Sequence, residues 1–210
     1  MKIAIIGASA GVGLKCVERA LERGHEVITL SRSIQNLPTS KLLTVKKGSA
    51  TSENDIEDVI KLADAILVTI GTGTSTKATT LYTETAKSLI AVQKRIGTKA
   101  PFIVLTGFGA GDSGKYLRLN VKLFFRLFLK KVYENKTQME ELITSTLPNW
   151  QIVRPGMLTN NPLSEKYRVE TNYFKGMNIG SIARADVADF MIKQAETLTL
   201  MGKYPVLSNK

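Results

Sequence analysis

The feature that most restricts the fold lies at the start of the chain. Lys2–Ile6 is apolar and β-branched, the run Gly7-Ala8-Ser9-Ala10-Gly11-Val12-Gly13 follows, and a helical pattern then extends to about Arg23. A strand that turns through glycines into a helix opens a parallel strand–helix–strand unit, because only a crossover can return the chain to a parallel neighbour. Gly7 permits the tight turn out of the strand. Gly11 and Gly13 lack Cβ atoms, so backbone can approach a pyrophosphate and the helix can approach the sheet. The first helical turn then offers N–H groups and a positive dipole end to an anion. The spacing is GxxxGxG, not the GxGxxG of the standard dinucleotide fingerprint. A bare strand–helix turn would use the same glycines; position after the first of the predicted strands favours a dinucleotide site.

The rest of the chain alternates strand and helix. Strands are predicted at 26–30, 42–45, 65–70, Phe102–Leu105, 150–153 and, short and last, 204–207. The 65–70 run is nearly continuous in apolar residues, as a parallel strand buried on both faces should be. Ser52 with Asp55 resembles a capping box that opens a helix to about residue 62. Further helices are predicted at Leu81–Ile96, about 117–146 and 186–196, and the hydroxyl-rich 72–80 segment reads as a loop. This order predicts an α/β chain with one domain over residues 1–210, a doubly wound parallel sheet of the NAD(P)-binding Rossmann type. A small substrate-side region would come from about 155–185. The 210 residues suit one domain, and 43% hydrophobic with 22% charged residues is an ordinary globular balance.

The second strand runs into Ser31-Arg32-Ser33. An NAD site places an acid about twenty residues after the loop, against the ribose hydroxyls. No acid stands there. Arg32 instead offers a planar cation to a 2′-phosphate, with Ser31 and Ser33 as donors, a charge-assisted contact of about 1.5–3 kcal/mol. A solvated surface arginine is the plain alternative. The missing acid tips the expectation to NADP(H) over NAD(H).

With these residues in hand, the chain resembles the atypical short-chain dehydrogenase/reductase family with an NAD(P)H-binding fold. That group includes biliverdin-IXβ reductase/flavin reductase-like proteins and is similar to nitrogen-metabolite-repressor-like and epimerase/dehydratase-like proteins. The strings that carry the resemblance are GASAGVG, DAILVTIGTGT, FIVLTGFGAGDSG, YENKTQMEELI, WQIVRPGML and IARADVADF. The resemblance implies that Ser9, Ala10, Gly11 and Val12 line the pyrophosphate, and that Ser49 and Ala50 flank the adenine. Ile70, Gly71 and Thr72 would pass under the ribose. Thr106 and Gly107 would sit near the nicotinamide, and Pro155, Gly156 and Met157 would close its far side. The chain departs from the pattern at Ser49, where many relatives carry Asp.

Relatives often use a Tyr-x-x-x-Lys pair, in which the lysine lowers the tyrosine pKa. No tyrosine here has a lysine four residues on. Lys136 matches the relatives' lysine, but Val132 stands at the tyrosine position, and Tyr133 reads as an interfacial side chain on another helical face. The histidine of biliverdin-type relatives is replaced by Gly156, and their serine by Gly107, leaving Thr106 as the nearest hydroxyl. The one histidine, His25, lies in a turn, and one Cys with one His makes no metal cluster. Lys136 and Thr106 are therefore the candidate catalytic residues. The chemistry that needs least acid–base help is hydride transfer from NADPH to a flavin or similar flat acceptor, for which Gly107 and Gly156 would leave room. The alternative is a non-catalytic NADP(H)-binding sensor or assembly factor.

The net charge is +11, and it is uneven. Residues 112–131 hold six Lys and Arg against Asp112 alone, 6 − 1 = +5. Lys115, Arg118, Lys122, Arg126 and Lys130 form one helical stripe, beside Val121, Phe124, Phe125, Phe128 and Val132, widened by Leu119, Leu123 and Leu127. The plain reading is a helix packed on the sheet with a solvated basic face. Sharper readings are a membrane-surface helix over 115–131 or a lid for an acidic or lipid-like substrate. No nucleic-acid reader motif is present, so a small-molecule substrate is expected and nucleic acid is not. Cys16 is read as packing and Trp150 as core. A single cysteine and the lack of a signal-peptide pattern or a long apolar run point to the cytoplasm.

Overall fold

A computed structural model describes residues 1–73, 75–174, 177 and 179–209. The elements in chain order are β1 (Lys2–Ile6), α1 (Gly11–Glu22), β2 (Glu26–Ser31), β3 (Leu43–Lys47), α2 (Glu53–Ile60), β4 (Ala65–Val68), α3 (Leu81–Ile96) and β5 (Phe102–Leu105). There follow α4 (Leu119–Phe124), α5 (Lys130–Thr146), β6 (Trp150–Pro155), β7 (Met157–Thr159), β8 (Tyr167–Glu170), β9 (Ser181–Ala183), α6 (Arg184–Glu196) and β10 (Val206–Asn209).

The main sheet has the order β3-β2-β1-β4-β5-β6-β10-β8. β4 and β5 are buried at every position, as their unbroken apolar sequences require of strands covered on both faces. One face is covered by α1 and α6, through Val12, Cys16, Val17 and Ala20 against Val187, Met191 and Ile192. The other is covered by α2, α3 and α5, through Ile56, Val59, Leu89, Val92, Met139 and Ile143. After β1 the chain builds outward through β2 and β3, then returns to β4 on the other side of β1. Strand order reverses there, and a crevice opens at the carboxyl ends of β1 and β4.

The parallel sheet is as expected, and its far edge is larger. β10 adds to β6 in parallel, and β8 pairs antiparallel with β10, Leu207 opposite Val169. The 155–185 region also holds the parallel pair β7–β9; of that region Lys175, Gly176 and Asn178 lie outside the described residues. These three- and four-residue strands carry too few residues to show a period.

The expected 117–146 helix runs unbroken from Leu119 to Thr146 but is not α-helical throughout. A 3-10 segment, Gly111–Tyr116, precedes α4, and a π-helical turn, Phe125–Leu129, separates α4 from α5. Nor does its first half pack on the sheet: α4 and the π turn bury no residue, and Leu119, Leu123, Leu127 and Phe128 face outward. The plain reading of that segment is thus corrected. Burial begins at Val132. Trp150 is half-buried and packs against the core from its margin, beside Tyr204.

Two polar contacts set helix starts. Ser52 Oγ accepts from the Asp55 N–H, as predicted, but the Asp55 carboxylate turns to the Ser49 N–H at 2.9 Å and does not complete the box. α3 has no capping side chain of its own. Asn135, buried on α5, supplies one: its Oδ1 accepts from the N–H groups of Tyr82 and Thr83.

Candidate functional site

The crevice at the strand ends is a cleft of about 1250 Å³, larger than an ordinary small-ligand pocket. One end is built from backbone. Gly7 turns with φ +92, where a Cβ would strike the backbone of Thr69 and Ile70, and a Cβ on Gly13 would run into the Gly7 carbonyl, so helix and loop touch only because Gly13 has none. The loop is tied on both sides: Ser31 Oγ accepts from the Ala8 N–H at 2.8 Å, and Thr69 Oγ1 donates to the Ile6 and Gly7 carbonyls. Ser31 therefore positions the loop, while Ser33 stays exposed at the cleft wall.

The N-terminus of α1 has neither a capping side chain nor an acid in its first turn. Its N–H groups face the cleft beside Ser9, Ala10, Gly11 and Val12. Arg184 heads α6 and also lines the cleft, its guanidinium held by the Leu158 carbonyl and by Asn160 Oδ1 at 2.8 Å. A cation at a helix N-terminus opposes the helix dipole, so its placement marks a position that an anion would repay. Arg32 projects exposed at the same cleft, without an ion pair among the described residues. The Arg184 guanidinium, an uncapped helix start and a glycine cradle fit the diphosphate of a dinucleotide, which leaves the Arg32 guanidinium for a further anionic group. Ser49 and Ala50 line the wall beyond Arg32, with Ile70, Gly71 and Thr72 along the floor.

The other end is built from side chains. Thr106, Val132, Tyr133, Lys136 and Tyr82 line it. Lys136 Nζ donates to the Thr106 carbonyl at 2.8 Å and lies 4.9 Å from the centroid of the Tyr133 ring. Burial lowers the Lys136 ammonium to about 8, although Glu140 pulls the other way. Burial, with Tyr82 and Glu140, pushes the Tyr133 phenol up to about 12, so it stays protonated at neutral pH. The Thr106 hydroxyl donates to Glu140 Oε1 at 2.6 Å. Glu140 is itself clamped by Arg154, Oε2 to Nη2 at 2.7 Å and Oε1 to Nε at 3.2 Å. Arg154 continues to Asp112 and to the Tyr173 hydroxyl. Glu140 and Arg154 are both buried, a pair that holds only because each charge is fully partnered.

Thirteen of the predicted positions thus converge on one cleft: Gly7, Ser9, Ala10, Gly11, Val12 and Arg32, then Ser49, Ala50, Ile70, Gly71 and Thr72, and finally Thr106 and Lys136. Five do not line it. Gly13 packs behind the loop. The expected opening at Gly107 is covered by the Tyr133 hydroxyl, 3.0 Å from where a Cβ would stand. At Gly156 the space is filled by the Gly180 carbonyl and Ile179. Pro155 is buried in β6, and Met157 is exposed. Leu158, Asn160 and Arg184, from the same C-terminal region, line the cleft instead, with Arg184 close to Gly11 of the loop. Tyr133, expected as an interfacial side chain on another helical face, instead lines the cleft; it stands three residues before Lys136, which makes the two neighbours on a helix. Away from the cleft, His25 bonds Glu196, and Cys16 is buried, its thiol pushed up by burial.

Solved structures share this fold along their whole length. SP1627 from Streptococcus pneumoniae, described as an NADH-flavin reductase, is 23% identical, with a TM-score of 0.81 and 100% of each chain covered. ChuY from Escherichia coli O157:H7, an anaerobilin reductase, is 22% identical, with a TM-score of 0.79 over 100% of this chain and 97% of that one. A short-chain dehydrogenase/reductase from Veillonella parvula, solved with NADP, is 14% identical, with a TM-score of 0.83 over 99% and 94%. At such identities they establish the fold. The sequence model of the NAD(P)H-binding family matches residues 7–197, glycine loop and Lys136 included, and the chain belongs to that family.

Proposed function

We propose that the protein is an NADPH-dependent reductase of a flat conjugated acceptor, flavins being the first class to test. The observation that carries this reading is the pairing, within one cleft, of an anion cradle at one end with a protonated phenol beside a lysine at the other. The α1 N-terminus and Arg184 would hold the diphosphate, and Arg32 a 2′-phosphate. Ser49 and Ala50 would flank the adenine, and Lys136 would orient the nicotinamide ribose. Bound NADPH supplies the hydride. The reduced acceptor then needs one proton, and the protonated Tyr133 phenol is a group in the cleft that can give it, with Lys136 beside it to replace that proton from solvent. Thr106, whose hydroxyl proton is engaged by Glu140, acts as a positioning residue, its carbonyl fixing Lys136. Hydride plus proton would reduce the acceptor by two electrons, balanced by oxidation of the dinucleotide to NADP⁺.

Two proteins of the same fold are named as reductases of anaerobilin and of flavin, which supports a conjugated acceptor here. The cytoplasm, where NADPH is held reduced, is the expected compartment. The test mixes purified protein with NADPH and FMN or FAD and follows the loss of NADPH absorbance. Consumption above the protein-free blank supports the reading. NADPH binding with no consumption across flavins and other conjugated acceptors would replace it with a non-catalytic sensor.

A further inference from the structure

The segment from Arg118 to Phe128 contributes nothing to the core, and its composition is unusual for a solvated helix. Leu119, Leu123, Phe124, Leu127 and Phe128 are between 52% and 85% exposed. Scattered exposed leucines need no explanation, but five large apolar side chains on one short segment do. They sit among cations: Arg118 precedes Leu119, Lys122 precedes Leu123 and Arg126 precedes Leu127, a cation–leucine pair every four residues. A π turn takes in more residues than an α turn, so the turn at Phe125–Leu129 reduces the drift of a four-residue repeat around the helix. No Asp or Glu lies between Asp112 and Glu134. Lys130 reaches Glu134 at 3.8 Å, while Lys115, Arg118, Lys122, Arg126 and Lys131 have no carboxylate partner among the described residues.

We propose that this face, Leu119 to Phe128 with its flanking cations, docks on an anionic lipid surface. The charge pattern selects the occupant. A second copy laid symmetrically on the same face would bring two sets of unneutralised cations together. A nucleic acid would satisfy the cations but not three leucines, which have no ring to stack on bases. An anionic bilayer satisfies both, taking leucine and phenylalanine into the acyl boundary and cations among the headgroups. No described helix is long and apolar enough to cross a membrane, so the contact lies in the interface plane. Its place in the fold ties it to the cleft: Leu129, Val132 and Tyr133 continue the same segment into the cleft wall, and the Phe125 ring packs on Tyr133 at 4.5 Å. A docked molecule would therefore hold the acceptor end of the cleft close to the lipid.

The full-length protein is sedimented with vesicles of phosphatidylcholine alone and of an equal mixture of phosphatidylcholine and phosphatidylserine, without nucleotide or acceptor, so that the result is independent of the reductase reading. Binding is expected to the mixed vesicles only, and to weaken with salt. Lys122→Gln with Arg126→Gln should weaken it roughly 25-fold, about fivefold per cation. Leu123→Ser with Leu127→Ser should abolish it. All four side chains are exposed, and unchanged circular dichroism will show that the variants fold. Equal pelleting with both vesicle types, or none, overturns the proposal. So does a wild-type dimer that the leucine variants dissociate in sedimentation equilibrium, or binding to single-stranded oligonucleotide without binding to vesicles.

Discussion

The two ends of the cleft are made of different material. The nucleotide end is backbone: glycines with no side chain, an uncapped helix start, and strand ends. The acceptor end is side chain: Tyr133 over Gly107, Lys136 on the Thr106 carbonyl, and Glu140 and Arg154 locked behind them. Backbone geometry tolerates change in everything except the residues that permit it. A side-chain site depends on each member being held by the next. The first kind of site serves any dinucleotide chemistry, and the second decides which reaction a particular chain performs.

If the ends are separate in this sense, damage to one should leave the other working. The largest effect is expected from Glu140→Ala, which strips Arg154 of its buried partner and should cost about 3–5 kcal/mol of stability. Urea unfolding measures that cost, and nucleotide titration of the folded fraction should show NADPH affinity almost unchanged. A matching loss of affinity would mean that the two ends are one unit. Tyr133→Phe comes next, with turnover reduced by roughly 10²-fold and the NADPH Kd unaltered; undiminished turnover would remove the phenol from the chemistry. Arg32→Ala acts on the other end alone. Loss of about 1.5–3 kcal/mol corresponds to about 10- to 150-fold weaker NADPH binding, with NADH untouched, and a fluorescence titration of both nucleotides reads it directly.

The smallest effect is in the pH profile. Lys136 has its pKa lowered to about 8 by burial. If its ammonium form returns the proton, the rate should fall as pH rises through about 8, and Lys136→Arg should remove that inflection. The sign for stability is opposite. The ordinary lysine value is 10.5 and the folded one about 8, so between them the unfolded chain binds more protons and stability rises with pH. A profile without an inflection near 8 would leave Lys136 a positioning role only.

Much of the fold is legible in the sequence because its signals are local. β1, α3 and β5 have the predicted bounds, since a buried strand needs an unbroken apolar run and a helix an apolar stripe. Arg32 stands out by the acid it replaces. The capping contact of Ser52 is legible, yet the partner of the Asp55 carboxylate is not, because Ser49 meets it only after β3 and α2 pack. Arg184 carried a weak signal, a cation two residues before the predicted 186–196 helix, and the structure starts that helix at Arg184. Tyr133 carried a stronger one, three residues before Lys136.

By itself the sequence determined the doubly wound order and the 7–13 loop, since a glycine torsion, a missing Cβ and a helix dipole act within a few residues of one another. Tertiary structure alone decided what fills the acceptor end. Tyr133 occupies the space that Gly107 promised, Gly180 and Ile179 occupy that of Gly156, and Glu140 claims the hydroxyl of Thr106. Each of these contacts joins segments far apart in the chain. It also decided that the 119–128 helix faces outward, because an apolar stripe shows that a face must be covered and not what covers it.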